Sequence, residues 1–342
     1  MSLKNDAAPL IADPQWFPSR WNPQDGTIQF VRLTRAEHDS VTFLGDEYLA
    51  PLNAPSTMLA LSDVARALPP SLPSPQYIFH SAFCGSTLLS RALNVPGSAM
   101  SLKEPQILNT VTEAARSNAL SRETLQTIVG LLARPFGPNE RVVIKPSNVV
   151  NLLATGLLEI DSGSNAIFLY APLNGFLQSI ADKGLWGRIF ARQLFRTLQS
   201  DTGLTFGYSV EETLDLTDLQ AAGLAWLMHH AQAAALMTRL PGRVRTLNSE
   251  TFLARRSETI LASAAHLRLA ISEAKAAEIV DGLVFATHSK QLGQDFNEAK
   301  QQSKSRGAIV DEEIVMVATW TSEMANRNGL PMQLPAEFQL IP

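Results

Sequence analysis

The chain has 342 residues, 45% hydrophobic and 18% charged, with 28 Lys+Arg against 32 Asp+Glu and a formal net charge of -4. That composition excludes a disordered chain, and its slightly acidic balance excludes attachment to nucleic acid or an anionic membrane through overall charge. One cysteine, Cys84, excludes an intrachain disulfide and a multi-cysteine metal site. At about 150 residues per domain, the length suits one large or two modest domains. The longest apolar stretches, such as Ala221–Met228, are too short to span a bilayer, and no charged-then-apolar leader opens the sequence. A cytoplasmic protein without nucleic-acid or membrane partners is the expectation.

Residues 1–70 read as an N-terminal extension. Trp16-Phe17-Pro18 and Trp21-Asn22-Pro23 favour turns, Ile28–Leu33 and Val41–Leu44 look like short strands, and Ser62–Leu68 looks helical. The four prolines of Pro69-Pro70-Ser71-Leu72-Pro73-Ser74-Pro75 cannot sit inside a helix or a central strand, so a boundary is expected there. From residue 71 to 342, strands alternate with helices. Strands are expected at Gln76–His80, Arg141–Lys145, Asn165–Tyr170 and Arg243–Leu247, with Lys103 at another strand end. Helices are expected at Thr87–Leu93, from Pro105 to Asn118, over Ser121–Arg134, up to Lys183, at Leu185–Leu198 and over Asp218–Leu240, with Ser121 and Thr217 as N-caps. This alternation predicts an α/β fold, a parallel sheet covered by helices on both faces.

The segment Tyr77-Ile78-Phe79-His80-Ser81-Ala82-Phe83-Cys84-Gly85-Ser86-Thr87-Leu88-Leu89-Ser90-Arg91 carries most of the functional argument. An apolar strand enters small residues that lead directly into a helix, which aims backbone N–H groups and the positive helix end at one point, a setting for phosphate or sulfate. Gly85 allows close backbone approach, and Ser86 and Thr87 add hydroxyl donors. The same pattern also describes a plain strand–turn–helix with no ligand. A nucleoside-triphosphate loop is disfavoured, because Ser86 stands where its lysine belongs and His80 where its first glycine belongs.

The segment resembles the 5′-phosphosulfate loop of the P-loop sulfotransferase family, with Cys84-Gly85-Ser86-Thr87-Leu88-Leu89 matching its latter part and Arg91 following early in the helix. Further stations fall in the same order. Val143-Ile144-Lys145-Pro146 is similar to the family's strand ending in Lys-x-Pro or Lys-Pro. Ile167–Pro172 followed by Ser179 is similar to its strand ending near Arg-Asp-Pro with a later serine, and Arg245–Leu253 to its late strand and Glu-x-Leu segment. The resemblance spans about Gln76 to His266. It implies a three-layer P-loop-type fold, 3′-phosphoadenylyl sulfate (PAPS) as donor, no metal, and a small-molecule hydroxyl or amine acceptor. Ser81, Phe83, Cys84, Gly85, Ser86, Thr87, Arg91, Ser179 and Arg188 would then lie on the donor. The departures are specific: Phe83 replaces the loop's Lys or Arg, Tyr170 replaces the arginine for the 3′-phosphate, and Ser179 sits one residue late, with Gln178 in register.

Sulfuryl transfer needs positive charge at the leaving phosphate and a base for the acceptor. Lys145 and Lys103, at strand ends, are the candidate cations, and Glu104 and His80 the candidate bases. Arg188 and Arg192, four apart on one helix face, are candidates for the 3′-phosphate. Ser303-Lys304-Ser305-Arg306-Gly307 superficially resembles the family's late Arg-Lys-Gly lid. His229 and His230 point about 100° apart on a helix, which favours packing over metal ligation. A related P-loop phosphotransferase, and a non-catalytic descendant that keeps the anion pocket, remain as alternatives.

Overall fold

In the computed structural model, residues 7–286 and 308–341 are described. Ser303–Gly307 and His288-Ser289-Lys290 lie outside them. The described chain forms two compact units. The first takes the chain up to Phe79, Thr87–Ala166 and Ile260–Ile279; the second takes His80–Ser86, Ile167–Thr259 and the chain from Val280.

The first unit opens with α1 (Ala7–Ala12), β1 (Trp16–Asn22), β2 (Thr27–Arg32), α2 (Arg35–Ser40), α3 (Asp46–Leu49), β3 (Ser56–Ala60) and α4 (Leu61–Ala67). β1, β2 and β3 make a small antiparallel sheet in that order. Two expectations are corrected here. Trp16–Asn22 is a strand rather than a turn: β1 is an edge strand, and its register shifts between Pro18 and Arg20, so the missing proline N–H breaks no ladder. Phe17 and Trp21 are buried on it. Val41–Leu44, expected as a strand, is a series of bends. Its backbone is claimed by Lys103, whose Nζ donates to the Val41 carbonyl at 2.5 Å while its own carbonyl accepts from Leu44 N–H at 2.7 Å.

The proline run leads from α4 to β4 (Gln76–His80). Then come α5 (Ser86–Ala92), β5 (Ala99–Lys103), α6 (Ile107–Arg116), α7 (Arg122–Leu132), β6 (Arg141–Lys145), a 3-10 turn at Asn148–Leu153, α8 (Ala154–Ile160) and β7 (Ala166–Tyr170). α9 (Leu173–Asp182), α10 (Gly184–Thr202), α11 (Asp218–Arg239), β8 (Val244–Asn248) and α12 (Ser249–Ala254) follow, with further helices to Asn328. The larger sheet is parallel and flanked by helices, with strand order β5-β6-β4-β7-β8. Every residue of β4 and β5 is buried, which explains why the apolar run Tyr77-Ile78-Phe79 of β4 shows no alternation with polar residues.

Because β4 sits between β6 and β7, the chain leaves it toward one edge and later returns on the other. The C-terminal end of such a strand is where open α/β sheets bind ligands. Ser121 and Thr217 do cap α7 and α11, accepting from Thr124 and Gln220 N–H. Among the described residues, no helix is long and apolar enough to cross a membrane.

Candidate functional site

The turn that follows β4 lies in the second unit, and its backbone departs from ordinary conformations. Ala82 and Phe83 have φ of 68° and 48°, and Gly85 has φ of 80°. A left-handed alanine followed by a left-handed phenylalanine costs on the order of 1 kcal/mol each, and such strain persists only where surrounding contacts impose it. Three contacts do so. His80 Nδ1 accepts from Ala82 N–H at 3.1 Å, so this ring nitrogen carries no proton. Ser81 N–H donates to the Leu169 carbonyl at 3.1 Å, extending the β7 ladder, and Cys84 Sγ donates to the same carbonyl at 3.3 Å.

His80, Ser81 and Cys84 are thus buried and committed to holding the turn, whereas Gly85 is exposed. A Cβ on Gly85 would meet nothing nearer than Phe252 at 3.9 Å, so its requirement is conformational rather than steric. Ser86 and Thr87 open α5 and are buried; the Thr87 Oγ1 hydroxyl has no hydrogen-bond partner.

Phe83, where the family has a basic residue, packs with Phe190 at 5.2 Å and with Phe176 and Trp186 at 6.1 Å between ring centroids. Lys183 Nζ lies 5.7 Å from the Phe83 ring and 5.8 Å from that of Trp186. A cation therefore stands beside this position although the position is aromatic. Sequence reasoning missed Lys183; its one signal was its place at the junction of two helices, just before Gly184, whose φ is 56°.

Tyr170, in place of the family's arginine, hydrogen-bonds Asn248 and meets the His230 ring edge-on at 5.1 Å; burial raises its phenol above the usual value. The Ser179 hydroxyl donates to the Gly175 carbonyl within its own helix. Arg188 pairs with Asp218 at 3.6 Å and Glu313 at 3.5 Å, and Arg192 pairs with Asp218. Both arginines are thus occupied by carboxylates of the same unit.

In the first unit, the structure brings three of the candidate residues together. β5 and β6 run in register, with Lys103 opposite Lys145 at their C-terminal ends. Glu104 follows with φ of 51° and donates its N–H to the Lys145 carbonyl at 2.6 Å. That left-handed step turns its carboxylate onto Lys145 Nζ, forming an ion pair in which the Lys145 side chain is 0% exposed and the Glu104 side chain 23%. Lys103 Nζ instead donates to the carbonyls of Asp39, at 3.1 Å, and Val41. Burial lowers its ammonium to about 8, with Asp39 opposing the shift. Arg91 is half-buried in the same unit and likewise lowered by burial, again with Asp39 opposing. Among the described residues, no group of three His, Cys, Asp or Glu side chains could hold a metal ion.

No family model matches the chain, and no curated protein matches it. Among solved structures, the chain is similar to the sulfotransferase domain from the curacin biosynthetic pathway. The two share 16% identity over 77% of this chain and 99% of that domain, with a TM-score of 0.42. A likeness at that level assigns no activity, so any functional reading rests on the residues above.

Proposed function

We propose that the protein is a sulfotransferase-like enzyme that moves a sulfuryl group from PAPS to a hydroxyl or amine acceptor. The observation that carries this reading is the turn after β4. It spends backbone strain at Ala82 and Phe83, leaves Gly85 exposed, and ends at a buried Thr87 hydroxyl with no partner. An unsatisfied buried hydroxyl costs about 1–3 kcal/mol, a cost that an anionic ligand oxygen would remove. In this reading the Gly85–Thr87 backbone and hydroxyls hold the phosphosulfate, and Lys183 supplies charge that Phe83 does not. A base takes the acceptor proton as the acceptor's O–S or N–S bond forms, and the donor's S–O bond breaks, leaving adenosine 3′,5′-bisphosphate.

The test is calorimetry with adenosine 3′,5′-bisphosphate in chelator, followed by PAPS turnover over a panel of acceptors. Thr87→Val keeps the shape and deletes the hydroxyl, so it should weaken bisphosphate binding while leaving the melting temperature equal or higher. Absence of bisphosphate binding to the wild-type protein would overturn the reading.

A second reading, a non-catalytic anion- or nucleotide-binding descendant, is favoured by a separate observation. Phe83 and Tyr170 are both committed to ring packing where the family has basic residues, and Lys145 exposes no surface. Bisphosphate binding without transfer to any acceptor would select it.

A further inference from the structure

Two helices of the second unit turn large apolar side chains toward water. Leu185, Trp186 and Ile189 stand at i, i+1 and i+4 on α10, hence on one side of it, and Val315 and Met316 stand on the helix Ala308–Asn328. Their exposure runs from 48% for Ile189 to 74% for Leu185. Single exposed apolar residues are ordinary on a folded surface, whereas a contiguous group of them marks a contact surface.

The group is contiguous because the two helices are tied together. Both pack against α11. Arg188, one turn after Leu185, reaches Asp218 of α11 at 3.6 Å and Glu313 at 3.5 Å, and Glu313 lies one turn before Met316. Arg192 pairs with the same Asp218. Trp186 stacks on Phe190 at 5.6 Å between ring centroids, which sets the indole in place. The apolar side chains thus flank a fixed ion-pair network.

Charge selects what this surface fits. On α10 the exposed side runs on from Ile189 to the exposed Arg196; on the other helix it runs on from Met316 to the exposed Glu323. Both steps are seven residues, two helical turns. Against its own copy, α10 would set Arg196 near Arg196. Laid parallel to the Ala308–Asn328 helix of a second copy, with Ile189 over Met316, it sets Arg196 near Glu323, and a two-fold axis makes the same pairing twice. An anionic bilayer would be repelled by the exposed Asp311, Glu312 and Glu323 around Val315 and Met316. Residues 287–307 supply only Leu292 and Phe296 as large apolar side chains, too few to match this surface. Area agrees: side chains of this size and exposure offer roughly 500 Å² of apolar surface, the apolar share of the roughly 800 Å² that each partner gives a standard interface.

We propose that the protein forms a two-fold dimer in which α10 of each copy packs along the Ala308–Asn328 helix of the other. This is independent of the sulfuryl-transfer reading and stands or falls without donor or acceptor.

The test is sedimentation velocity on the full chain over a concentration series around 10 μM, with circular dichroism to confirm folding. Wild-type protein should sediment as a dimer. Met316→Glu should weaken the dimer at least about tenfold, because it places a charge inside the apolar contact. Met58→Glu, at an exposed methionine of β3 in the first unit, should leave it intact. Arg196→Glu and Glu323→Arg should each weaken it severalfold, and the double swap Arg196→Glu/Glu323→Arg should restore wild-type association; both positions are exposed, so these variants decide the matter if Met316→Glu does not fold. A monomeric wild-type protein, whether free or carried by phosphatidylcholine vesicles in flotation, would overturn the proposal. So would wild-type association in folded Met316→Glu, dissociation by Met58→Glu, or a double swap no better than either single change.

Discussion

Acidification toward pH 5 should strongly destabilise this protein, because three histidines are buried in neutral form. His38 is 1% exposed between the edges of Phe17 and Phe136, at 5.3 and 5.4 Å; both ring nitrogens lack hydrogen-bond partners. Burial, and then the charges of Lys103 and Arg35, lower its pKa to about 3. His229 is lowered to about 4 by burial, partly opposed by Gln232. His230, stacked on Trp226 at 3.6 Å, is lowered to about 3, again chiefly by burial.

An unfolded histidine takes up its proton near pH 6.5, and these folded ones do not until near pH 3–4. Stability is therefore unaffected above pH 6.5 and falls below it, by about 1.4 kcal/mol per pH unit for each histidine. At pH 5 this amounts to about 2 kcal/mol per histidine and about 6 kcal/mol together, comparable with the whole stability of many domains.

Urea unfolding followed by circular dichroism between pH 7.5 and 5.0 measures the slope. His38→Phe, which keeps a ring between Phe17 and Phe136, should reduce that slope by about one proton. A wild-type stability that is flat across this range, or a slope unchanged in His38→Phe, would refute the burial argument.

Four further outcomes follow from the same geometry. Gly223→Ala should destabilise by about 1–3 kcal/mol, because a Cβ there would lie 2.3 Å from Thr321 Oγ1; adding Thr321→Ala should restore most of the loss in thermal melts. Ala82→Gly should raise stability by about 0.5–1 kcal/mol in denaturant titrations by relieving a left-handed alanine. Lys145→Ala, which strand-end placement alone would expect to leave the melting temperature nearly unchanged, should lower it: the lysine is fully buried, and its removal deletes a buried side chain together with its ion pair to the partly buried Glu104. Lys183→Ala should weaken adenosine 3′,5′-bisphosphate binding by calorimetry without changing the melting temperature, since its ammonium is exposed beside Phe83 and Trp186.

The alternation of strands and helices was legible in the sequence because its signals are local. Val142, Val143 and Ile144 are buried in β6, and Thr217 caps α11 through a hydroxyl three residues from its partner N–H. The loop after β4 and the candidates Lys145 and Glu104 were legible for the same reason: glycine, hydroxyl and charged residues bunch at element ends. What needed the tertiary structure were matters of long-range pairing. Trp16–Asn22 is a strand only because β2 lies beside it, and Pro18 is tolerated there because β1 is an edge strand with a register shift at that residue. Val41–Leu44 has strand-like residues, yet a lysine some 60 positions away, at the end of another strand, takes its hydrogen bonds. The same distance effect turned Lys103 from a candidate ligand into a clasp, enclosed Lys145 beneath Phe43 and Glu104, and brought Lys183 over Phe83. Periodicity and capping are properties of neighbouring residues, so the sequence by itself determined the elements; which side chain meets which charge depends on how those elements pack, and that was decided only in three dimensions.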